Sequence, residues 1–356
     1  MCESVKEWTE TRSGAQSRML LGPRPFVRKL PSTVEPEIDE GFVSRRAGTH
    51  RERYLVGIDG AKLVGENGIV VLPDGSYSSE SVYGRAQLEA DPDYHALTRR
   101  PVARKSGSYF SLLVIWSKSW NYYHWLHDTL PRLCGVVETL PPDTRYIVRA
   151  DLNALQLETL RLLGIDRQQL AFFGGDEIWE LETLYFAPFV TNSGNDRREV
   201  DEWLRDKFFT AFRLEPTLPT RRILLSRRDT KNRRLVNEHA VESFVRDYGF
   251  EIAIPGELSF RQQVELFAQA SVVVATHGAG LTNILFAPPG LVVVEMIPSG
   301  IMKNSYLYWT MADELSHEYW YLVAESIPPA RPWDDARVSL EKIAETFDRL
   351  QLSKPS

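Results

Sequence analysis

A glycine-rich segment between two apolar runs carries the clearest chemical signal in the chain. The predicted strand 271–276 runs into HGAG at 277–280, and a short predicted helix, 280–287, follows directly. Glycine lets the backbone approach a ligand, and a helix start offers unpaired N–H groups with partial positive charge. Glu295 ends the next predicted strand, 291–296, where its carboxylate would suit ribose hydroxyls. The segment favours a phosphate or diphosphate ligand; the alternative is a tight turn with a structural histidine.

A strongly basic segment, RRILLSRRDTKNRR at 221–234, lies upstream. It holds seven basic residues and one acid, a net charge of +6 in a chain whose net charge is −6. Its first part predicts a strand, 223–226, so Arg227 lies at a strand's carboxyl end and faces the same expected crevice. Charge-assisted hydrogen bonds from guanidinium to phosphate are worth about 1.5–3 kcal/mol each. The segment favours anion recognition over a solvated basic loop, and Asn237 is the predicted N-cap of the next helix.

Histidine and aspartate cluster in NYYHWLHDTLPRL, residues 121–133. On a helix, His124 and Asp128 are four residues apart and share a face, with His127 adjacent to both. A carboxylate beside an imidazole suits general-base catalysis, because each group tunes the proton affinity of the other. A zinc site is the rival interpretation, although the spacing is His-x-x-His and no cysteine pair accompanies it. The remaining alternative is an aromatic-rich interdomain helix whose polar groups are satisfied by hydrogen bonds.

These segments require a scaffold of alternating strands and helices. Upstream of the basic segment, the pattern predicts strands at 53–58, 68–72, 109–116, 145–148 and 181–186 and helices at 155–163 and 197–212. From the basic segment onwards, it predicts strands at 223–226, 251–254, 271–276 and 291–296 and helices at 238–248, 260–270, 280–287 and 338–350. Such alternation indicates an α/β fold with a parallel sheet and a ligand crevice at the carboxyl ends of its strands.

Length and the position of two prolines indicate more than one domain. The chain has 356 residues, which exceeds what a single hydrophobic core usually supports. Two prolines in LEPTLP, 214–219, interrupt the pattern between a helix and a strand and indicate a linker. We expect an irregular N-terminal arm, two domains and a final helical segment, at 1–50, 51–213, 220–330 and 335–352.

Composition excludes several classes of protein. A hydrophobic content of 43% and a charged content of 25% are typical of a globular protein, not of a disordered, fibrous or coiled-coil chain. The net charge of −6 argues against a general nucleic-acid binder. Only Cys2 and Cys134 occur, so no disulfide framework is expected. The polar start and the short apolar runs predict a cytoplasmic protein, with peripheral association at the inner face of the membrane.

Four motifs, in this order, resemble glycosyltransferase family 61. They stand here as HWLHDTLPRL, SRRDTKNRRLVNE, HGAGLTNILF and VVVEMIP. A looser tail of that family resembles Asn304, Tyr306 and Tyr319, so the resemblance covers about residues 109–321. It implies a GT-B fold, in which two Rossmann-like domains face each other across a cleft. The N-terminal domain would be the acceptor side, the C-terminal domain would bind the nucleotide-sugar, and the last helix would pack back on the N-terminal domain.

The same resemblance implies an inverting transfer of xylose, N-acetylglucosamine or a similar sugar from UDP to a glycan or glycolipid hydroxyl. Asp128 becomes the candidate base, with His124 supporting or replacing it. The donor pocket would be lined by Arg227, Arg233, Asn237, His277, Gly278, Ala279, Gly280, Asn283 and Glu295. The acceptor side would involve Tyr122, Trp125 and His127, although these aromatic rings are equally typical of core. Basic groups and the helix start would stabilise the departing diphosphate, so we expect no metal or other cofactor. The expected role is surface polysaccharide synthesis in a bacterial-type member.

Three other functions remain open. A nicotinamide-dependent oxidoreductase shares the strand, glycine turn, helix and acidic residue, but Asn283 stands at the third glycine position. Its acid also comes 15 residues after Gly280 rather than about 20. A hydrolase with an HGAG oxyanion loop lacks the Gly-x-Ser-x-Gly elbow. A non-catalytic nucleotide- or glycan-binding module would not require Asp128.

Overall fold

The computed structural model describes residues 1–12, 17–96, 100–114, 121–189, 194 and 196–355. Contacts divide the chain into two compact units, residues 1–24 with 49–193 and residues 25–48 with 194–356. No helix among the described ranges is long and apolar enough to cross a bilayer.

Helices and strands alternate through most of the described chain. The strands are β1 (Arg18–Leu21), β2 (Arg24–Val27), β3 (Ser32–Thr33), β4 (Ala47–His50), β5 (Arg53–Asp59), β6 (Lys62–Val64), β7 (Ile69–Val71), β8 (Val102–Ser111), β9 (Arg145–Arg149), β10 (Leu170–Phe173), β11 (Ile178–Phe186), β12 (Arg221–Leu225), β13 (Phe250–Ala253), β14 (Ala270–Thr276), β15 (Val292–Pro298), β16 (Glu318–Ser326) and β17 (Ala336–Arg337). The α-helices are α1 (Val5–Arg12), α2 (Glu40–Ser44), α3 (Arg85–Glu89), α4 (Pro92–Ala96), α5 (Ala154–Leu162), α6 (Arg198–Phe212), α7 (Glu238–Arg246), α8 (Phe260–Ala268), α9 (Leu307–Glu314) and α10 (Leu340–Arg349).

The first unit is built on a mixed sheet in the order β1-β5-β11-β8-β9-β10, with β6 and β7 attached beside β11. β11, β8, β9 and β10 run parallel, whereas β5 pairs antiparallel with β11. Val56, Ile147 and Leu181 are buried in its core. Apolar side chains on successive strands bury this sheet, which is how parallel strands are normally stabilised.

The second unit contains a largely parallel sheet in the order β13-β12-β14-β15-β16-β17, of which only β17 is antiparallel to its neighbour. Counted from β12, its first five strands follow the order 2-1-3-4-5 of doubly wound α/β sheets. The strand order reverses between β12 and β14. Ligands of such sheets bind outside the carboxyl ends at this reversal, so the predicted α/β class and crevice position have a concrete location.

The predicted strands and helices correspond closely to those observed, with a few differences of type and extent. The strand predicted at 109–116 is observed as β8, which begins at Val102 and ends at Ser111; residues 115–120 lie outside the described part of the chain. The helix predicted at 280–287 is a 3₁₀ helix, Ala279–Phe286. The helix predicted at 155–163 is α5, which Asn153 caps through a reciprocal hydrogen-bond pair with Gln156.

The prediction that residues 1–50 form an irregular arm is wrong, because both halves of this segment belong to ordered units. Val5, on α1, is fully buried in the core cluster of the first unit. β3 extends the sheet of the second unit beside β16, and Phe42 packs edge-on against Tyr306 and Trp309 in that unit. Elements of two to eight residues carry too little periodicity to be recognised from sequence.

The predicted boundary at 214–219 and the predicted packing of the last helix also need correction. α6 belongs to the second unit, where Phe208 contacts Phe260 and Phe286 at ring-centroid distances of 4.9 and 6.0 Å. The proline-containing stretch therefore lies inside this unit. α10 packs within the second unit as well, since Phe347 stacks on Phe250 at 5.3 Å with an interplanar angle of 8°.

Truncation of Phe347 tests this placement of α10. Phe347→Ala removes a fully buried ring, so we expect the free energy of unfolding to fall by about 3–5 kcal/mol. The matched control is Phe172→Ala, because that ring is 38% exposed and its loss should cost no more than about 1 kcal/mol. Urea unfolding followed by circular dichroism measures both. Equal, small losses for the two variants would contradict a core role for α10.

Candidate functional site

The reversal point of the second sheet brings the basic segment and the glycine-rich segment together. Arg227 follows β12 by two residues, and Gly278 follows β14 by two residues. The Arg227 guanidinium rests directly on Gly278: a Cβ added there would lie 1.6 Å from Nη1. The φ angle of Gly278 is 172°, an extended conformation that any residue adopts. Glycine is required here for space, not for backbone freedom.

Two arginines form the positively charged part of this site. Burial lowers the pKa of Arg227 to about 10, and repulsion from Arg233 adds to the effect. Burial also lowers the pKa of Arg233. Nε of each guanidinium is buried without a hydrogen-bond partner in the described structure. Both side chains remain charged at neutral pH, and within the described residues neither forms an ion pair with a carboxylate, the partner that usually accompanies buried charge. This arrangement is suited to a bound anion.

The other arginines of the basic segment have structural roles. Arg221 pairs with Glu251, Arg228 with Glu242 and Arg234 with Asp335. Arg222 donates to the backbone carbonyls of Tyr248 and Ser353. The predicted anion site is therefore narrower than the net charge of the segment suggested, because most of its arginines are already paired.

The His277 ring is held by the carboxylate of Glu295, which in turn accepts a hydrogen bond from Tyr319. Its Nδ1 lies 2.5 Å from Oε1 of Glu295, and the hydroxyl of Tyr319 donates to the other carboxylate oxygen. Burial and the charge of Glu295 raise the pKa of Tyr319 well above its usual value, so its hydroxyl keeps the donated proton. A carboxylate on Nδ1 orients the ring and leaves Nε2 for a ligand. The Tyr308 ring lies 5.4 Å from the imidazole.

Glu295 therefore has a different position from the one predicted. It is the fourth residue of β15, has no exposed surface, and uses both oxygens within the protein. A direct contact with ribose hydroxyls is not what this geometry supports. Glu295 instead positions His277. The sequence pattern placed an acid near the crevice correctly but did not show how deeply it is buried.

Two predicted donor-binding asparagines are used for structure. Asn237 precedes α7 but its side chain does not cap the helix; it donates to the carbonyl of Val338 at 2.8 Å and accepts from its N–H. Asn283 is fully buried and donates to Gln263 and to the carbonyl of Gly280. These bonds hold the glycine-rich segment against α8. Ala279 and Gly280 are half-buried at the start of the 3₁₀ helix, as the prediction requires.

The histidine–aspartate segment of the first unit is a π-helix, His124–Thr129, followed by a 3₁₀ helix, Leu130–Leu133. The N–H of Leu130 donates to the carbonyl of Trp125, five residues back. Pro131 follows and has no N–H to donate, so regular α-helical hydrogen bonding cannot continue through it. Single turns of π-helix occur frequently at functional sites.

His124 and Asp128 form a close pair within this turn. Nδ1 of His124 lies 2.6 Å from Oδ2 of Asp128, and Nδ1 of His127 lies 3.4 Å from Oδ1. The Asp128 side chain has no exposed surface, whereas the His124 side chain is 19% exposed. The pair is therefore confirmed geometrically, with His124 as the member that can meet a substrate. Asp128 lies behind it and orients its ring through Nδ1, an arrangement suited to proton transfer by the imidazole.

The pKa of Asp128 reflects opposing effects. Burial raises it, but hydrogen bonds and charges from His124 and His127 lower it further, and the net shift is downward. The carboxylate is consequently ionised at neutral pH. Tyr83 is a further residue near this pair, and no sequence motif points to it. Burial and the charge of Asp128 raise the pKa of Tyr83 well above its usual value.

The predicted acceptor-side residues divide into core and surface. Trp125 is buried and donates from its indole nitrogen to Oγ1 of Thr159 at 2.8 Å, which is the behaviour of a core residue. His127 is buried and stacks on the Tyr123 ring at 4.7 Å. Tyr122 is half-buried. Of these three predicted residues, only Tyr122 is exposed enough to contact an acceptor.

Comparison with known proteins agrees with the motifs. The family model described as Glycosyltransferase 61 matches residues 122–294. These residues, just under half of the chain, are similar to glycosyltransferase family 61. The match begins just before the His124–Asp128 pair and ends just before Glu295, so the resemblance drawn from the motifs is confirmed.

Several curated proteins that are similar to this segment carry the name protein O-linked-mannose β-1,4-N-acetylglucosaminyltransferase 2. The protein from Tetraodon nigroviridis is 36% identical over 107 residues, which are 28% of this chain and 18% of that protein. Those from Canis lupus familiaris and Bos taurus are 26% and 27% identical over 170 residues, 45% of this chain and 29% of each relative. The chain thus spans less than a third of the length of the relatives it matches.

The contact between Arg227 and Gly278 gives a test of the family 61 anion site. In Gly278→Ala, the new methyl group must displace the guanidinium, which is the flexible end of its side chain. We expect affinity for inorganic pyrophosphate to fall at least about ten-fold, the equivalent of about 1.4 kcal/mol. Calorimetric titration measures it. Gly22→Ala, at a glycine with nothing within 4 Å of its missing Cβ, is the control. Unchanged pyrophosphate affinity in Gly278→Ala would contradict the site.

The ionised state of Asp128 predicts a pH-dependent stability. Because the folded-state pKa lies below the usual 3.8, the carboxylate stabilises the fold above its unfolded pKa, and this stabilisation is lost as the pH falls through the folded value. Asp128→Asn should therefore cost about 1–3 kcal/mol at pH ~7 and progressively less below pH ~4. Urea unfolding across this range measures the difference. Exposed Asp143→Asn serves as control, and a cost for Asp128→Asn that does not shrink in acid would argue against the ionised pair.

Proposed function

We propose that this protein is an inverting glycosyltransferase that moves a sugar from a UDP-sugar to the hydroxyl of a glycan or glycolipid. The observation that carries the proposal is the pair of arginines, Arg227 and Arg233, beside Gly278 and the following helix start. Two cations that form no ion pair with a carboxylate in the described part of the chain, at the reversal point of a doubly wound sheet, suit a nucleoside diphosphate. The match to the family 61 model and the activity given in the names of the relatives support the same chemistry.

Departure of UDP places negative charge where this site can receive it. As the bond between the anomeric carbon and the diphosphate oxygen breaks, the oxygen keeps the electron pair and its charge grows. The guanidiniums and the N–H groups at the start of the 3₁₀ helix stabilise that charge more in the transition state than in the bound donor. They supply the electrostatic role that a divalent cation often has, so we propose a transfer that proceeds without a metal.

On the acceptor side, we propose His124 as the general base and Asp128 as the group that positions it. The acceptor oxygen attacks the anomeric carbon from the face opposite UDP, and its proton passes to Nε2 of His124. Asp128 holds Nδ1 and stabilises the imidazolium that forms. This assignment reverses the emphasis of the sequence prediction, because the Asp128 carboxylate has no exposed surface and the histidine does.

The finer parts of the proposal follow the family. We propose N-acetylglucosamine as the first donor sugar to test, because the relatives are named as N-acetylglucosaminyltransferases, with xylose as the second. We also propose the GT-B arrangement, a glycan or glycolipid acceptor in surface polysaccharide synthesis, and a cytoplasmic location with peripheral association at the membrane. A nicotinamide-dependent oxidoreductase is less well supported, since Glu295 has no free oxygen for a ribose hydroxyl.

A donor assay tests this function directly. We expect the purified protein to release UDP from UDP-N-acetylglucosamine or UDP-xylose, and to do so equally well in EDTA. His124→Ala and Asp128→Asn should each reduce kcat by about 10²–10⁴ while leaving the Kd of UDP unchanged, because neither residue lies in the donor site.

A surface histidine provides the control for the assay. His239→Ala alters an exposed residue of α7 and should leave kcat unchanged. Wild-type turnover in His124→Ala would remove that residue from the mechanism. Binding of NADH without binding of UDP would reject the glycosyltransferase proposal, and complete loss of turnover in EDTA would reject its metal-independent form.

A further inference from the structure

Trp333 is an exposed aromatic residue without a packing role that explains it. Its side chain is 61% exposed, in a unit where Trp309 and Trp320 are buried. A large apolar ring in water forgoes the free energy of burial. Single exposed apolar residues are common on protein surfaces, so a ligand for this ring is indicated only by what lies beside it.

The segment that carries Trp333 is fixed to the basic segment by backbone hydrogen bonds. The N–H of Arg233 donates to the carbonyl of Trp333, and the N–H of Ala336 donates to the carbonyl of Arg234. Asp335 accepts from both the backbone and the guanidinium of Arg234 at 2.9 Å. Burial alone would raise the pKa of Asp335, but the hydrogen bonds from Arg234 lower it by more than that. The Asp335 carboxylate is therefore ionised. The position of the indole is therefore set relative to the anion site.

The indole lies beside one of the two arginines of that site. Cζ of Arg233 is 5.4 Å from the ring centroid of Trp333, within the range of a cation–π contact. The φ angle of Arg233 is 54°, in the left-handed region that non-glycine residues seldom adopt. A strained residue thus directs a guanidinium to a place where it borders both the Arg227 site and an exposed aromatic face. Such strain is typical of functional positions.

We propose that Trp333 is the stacking surface for the uracil ring of the donor nucleotide. This inference rests on the proposed function, since it requires a UDP-sugar as the ligand. With the diphosphate on Arg227 and Arg233, the base that the ribose joins to it can lie against the indole, since guanidinium, indole and base are all planar groups that stack. Stacking of a base on an aromatic side chain contributes through the whole face of the ring, which a sugar presents only in part.

The inference is tested by comparing UDP with two phosphate ligands that carry no base, inorganic pyrophosphate and N-acetylglucosamine 1-phosphate. In Trp333→Ala, the Kd of UDP should rise about ten-fold, the equivalent of about 1.4 kcal/mol, as expected for loss of one stacked base. The Kd values of inorganic pyrophosphate and of N-acetylglucosamine 1-phosphate should stay within two-fold of wild type. Trp333→Phe keeps an aromatic face and should retain most of the affinity for UDP. Calorimetric titration measures all of them.

Trp203→Ala provides a matched control. This half-buried tryptophan of α6 also lies beside a cation, since Nζ of Lys207 is 5.7 Å from its ring centroid, and its loss should leave UDP binding unchanged. Thermal melting confirms that each variant is folded. If Trp333→Ala binds UDP as wild type does, the stacking role is overturned while the donor site stands.

Two further results distinguish the stacking role from its alternatives. Equal weakening of pyrophosphate and UDP would mean that Trp333 only positions Arg233. Weakening of N-acetylglucosamine 1-phosphate alone, with UDP and pyrophosphate unaffected, would mean that the indole faces the donor sugar. Each result overturns the inference. A wild-type protein that binds no UDP at all would instead reject the proposed function.

Discussion

The contact between the Arg227 guanidinium and Gly278 is the constraint around which the second unit is arranged. It exists because the strand order reverses between β12 and β14, which places the ends of these two strands side by side. Nη1 occupies the space that a Cβ would need, so the loop must carry glycine there. A cation held this way, with no ion-paired carboxylate among the described residues, lowers stability, and a bound anion would offset that cost.

A second recurring device is a histidine oriented by a buried carboxylate. His277 has Glu295 and His124 has Asp128, and in each pair the acid is fully buried while Nδ1 of the imidazole receives the contact. The arrangement fixes the orientation of the ring. In the second unit the oriented ring borders an anion site; in the first it is the half-exposed member of a candidate acid–base pair. The same chemistry thus serves two different proposed roles.

The sequence predicted much of the fold and part of the site, and the failures have physical causes. Strands β12 to β15 and their helices were recognisable because apolar runs and caps repeat at regular spacing. The ordered N-terminal segments were missed because their pairing partners, such as β16 for β3, are distant in sequence. Asn237 and Asn283 match the motif, but the structure uses them to hold adjacent segments. Trp333 lay in no recognised motif, and only its contact with Arg233 draws attention to it.

By itself, the sequence determined which residue types are available for chemistry and roughly where along the chain they occur. It specified the βα alternation, the HGAG turn, the His124–Asp128 spacing and the resemblance to family 61. Only the tertiary structure decided which groups are free to act. Four arginines of the basic segment are engaged by other residues of the second unit. Asp128 and Glu295 are buried behind histidines. Burial and pairing depend on partners far away in sequence, so local pattern cannot determine them.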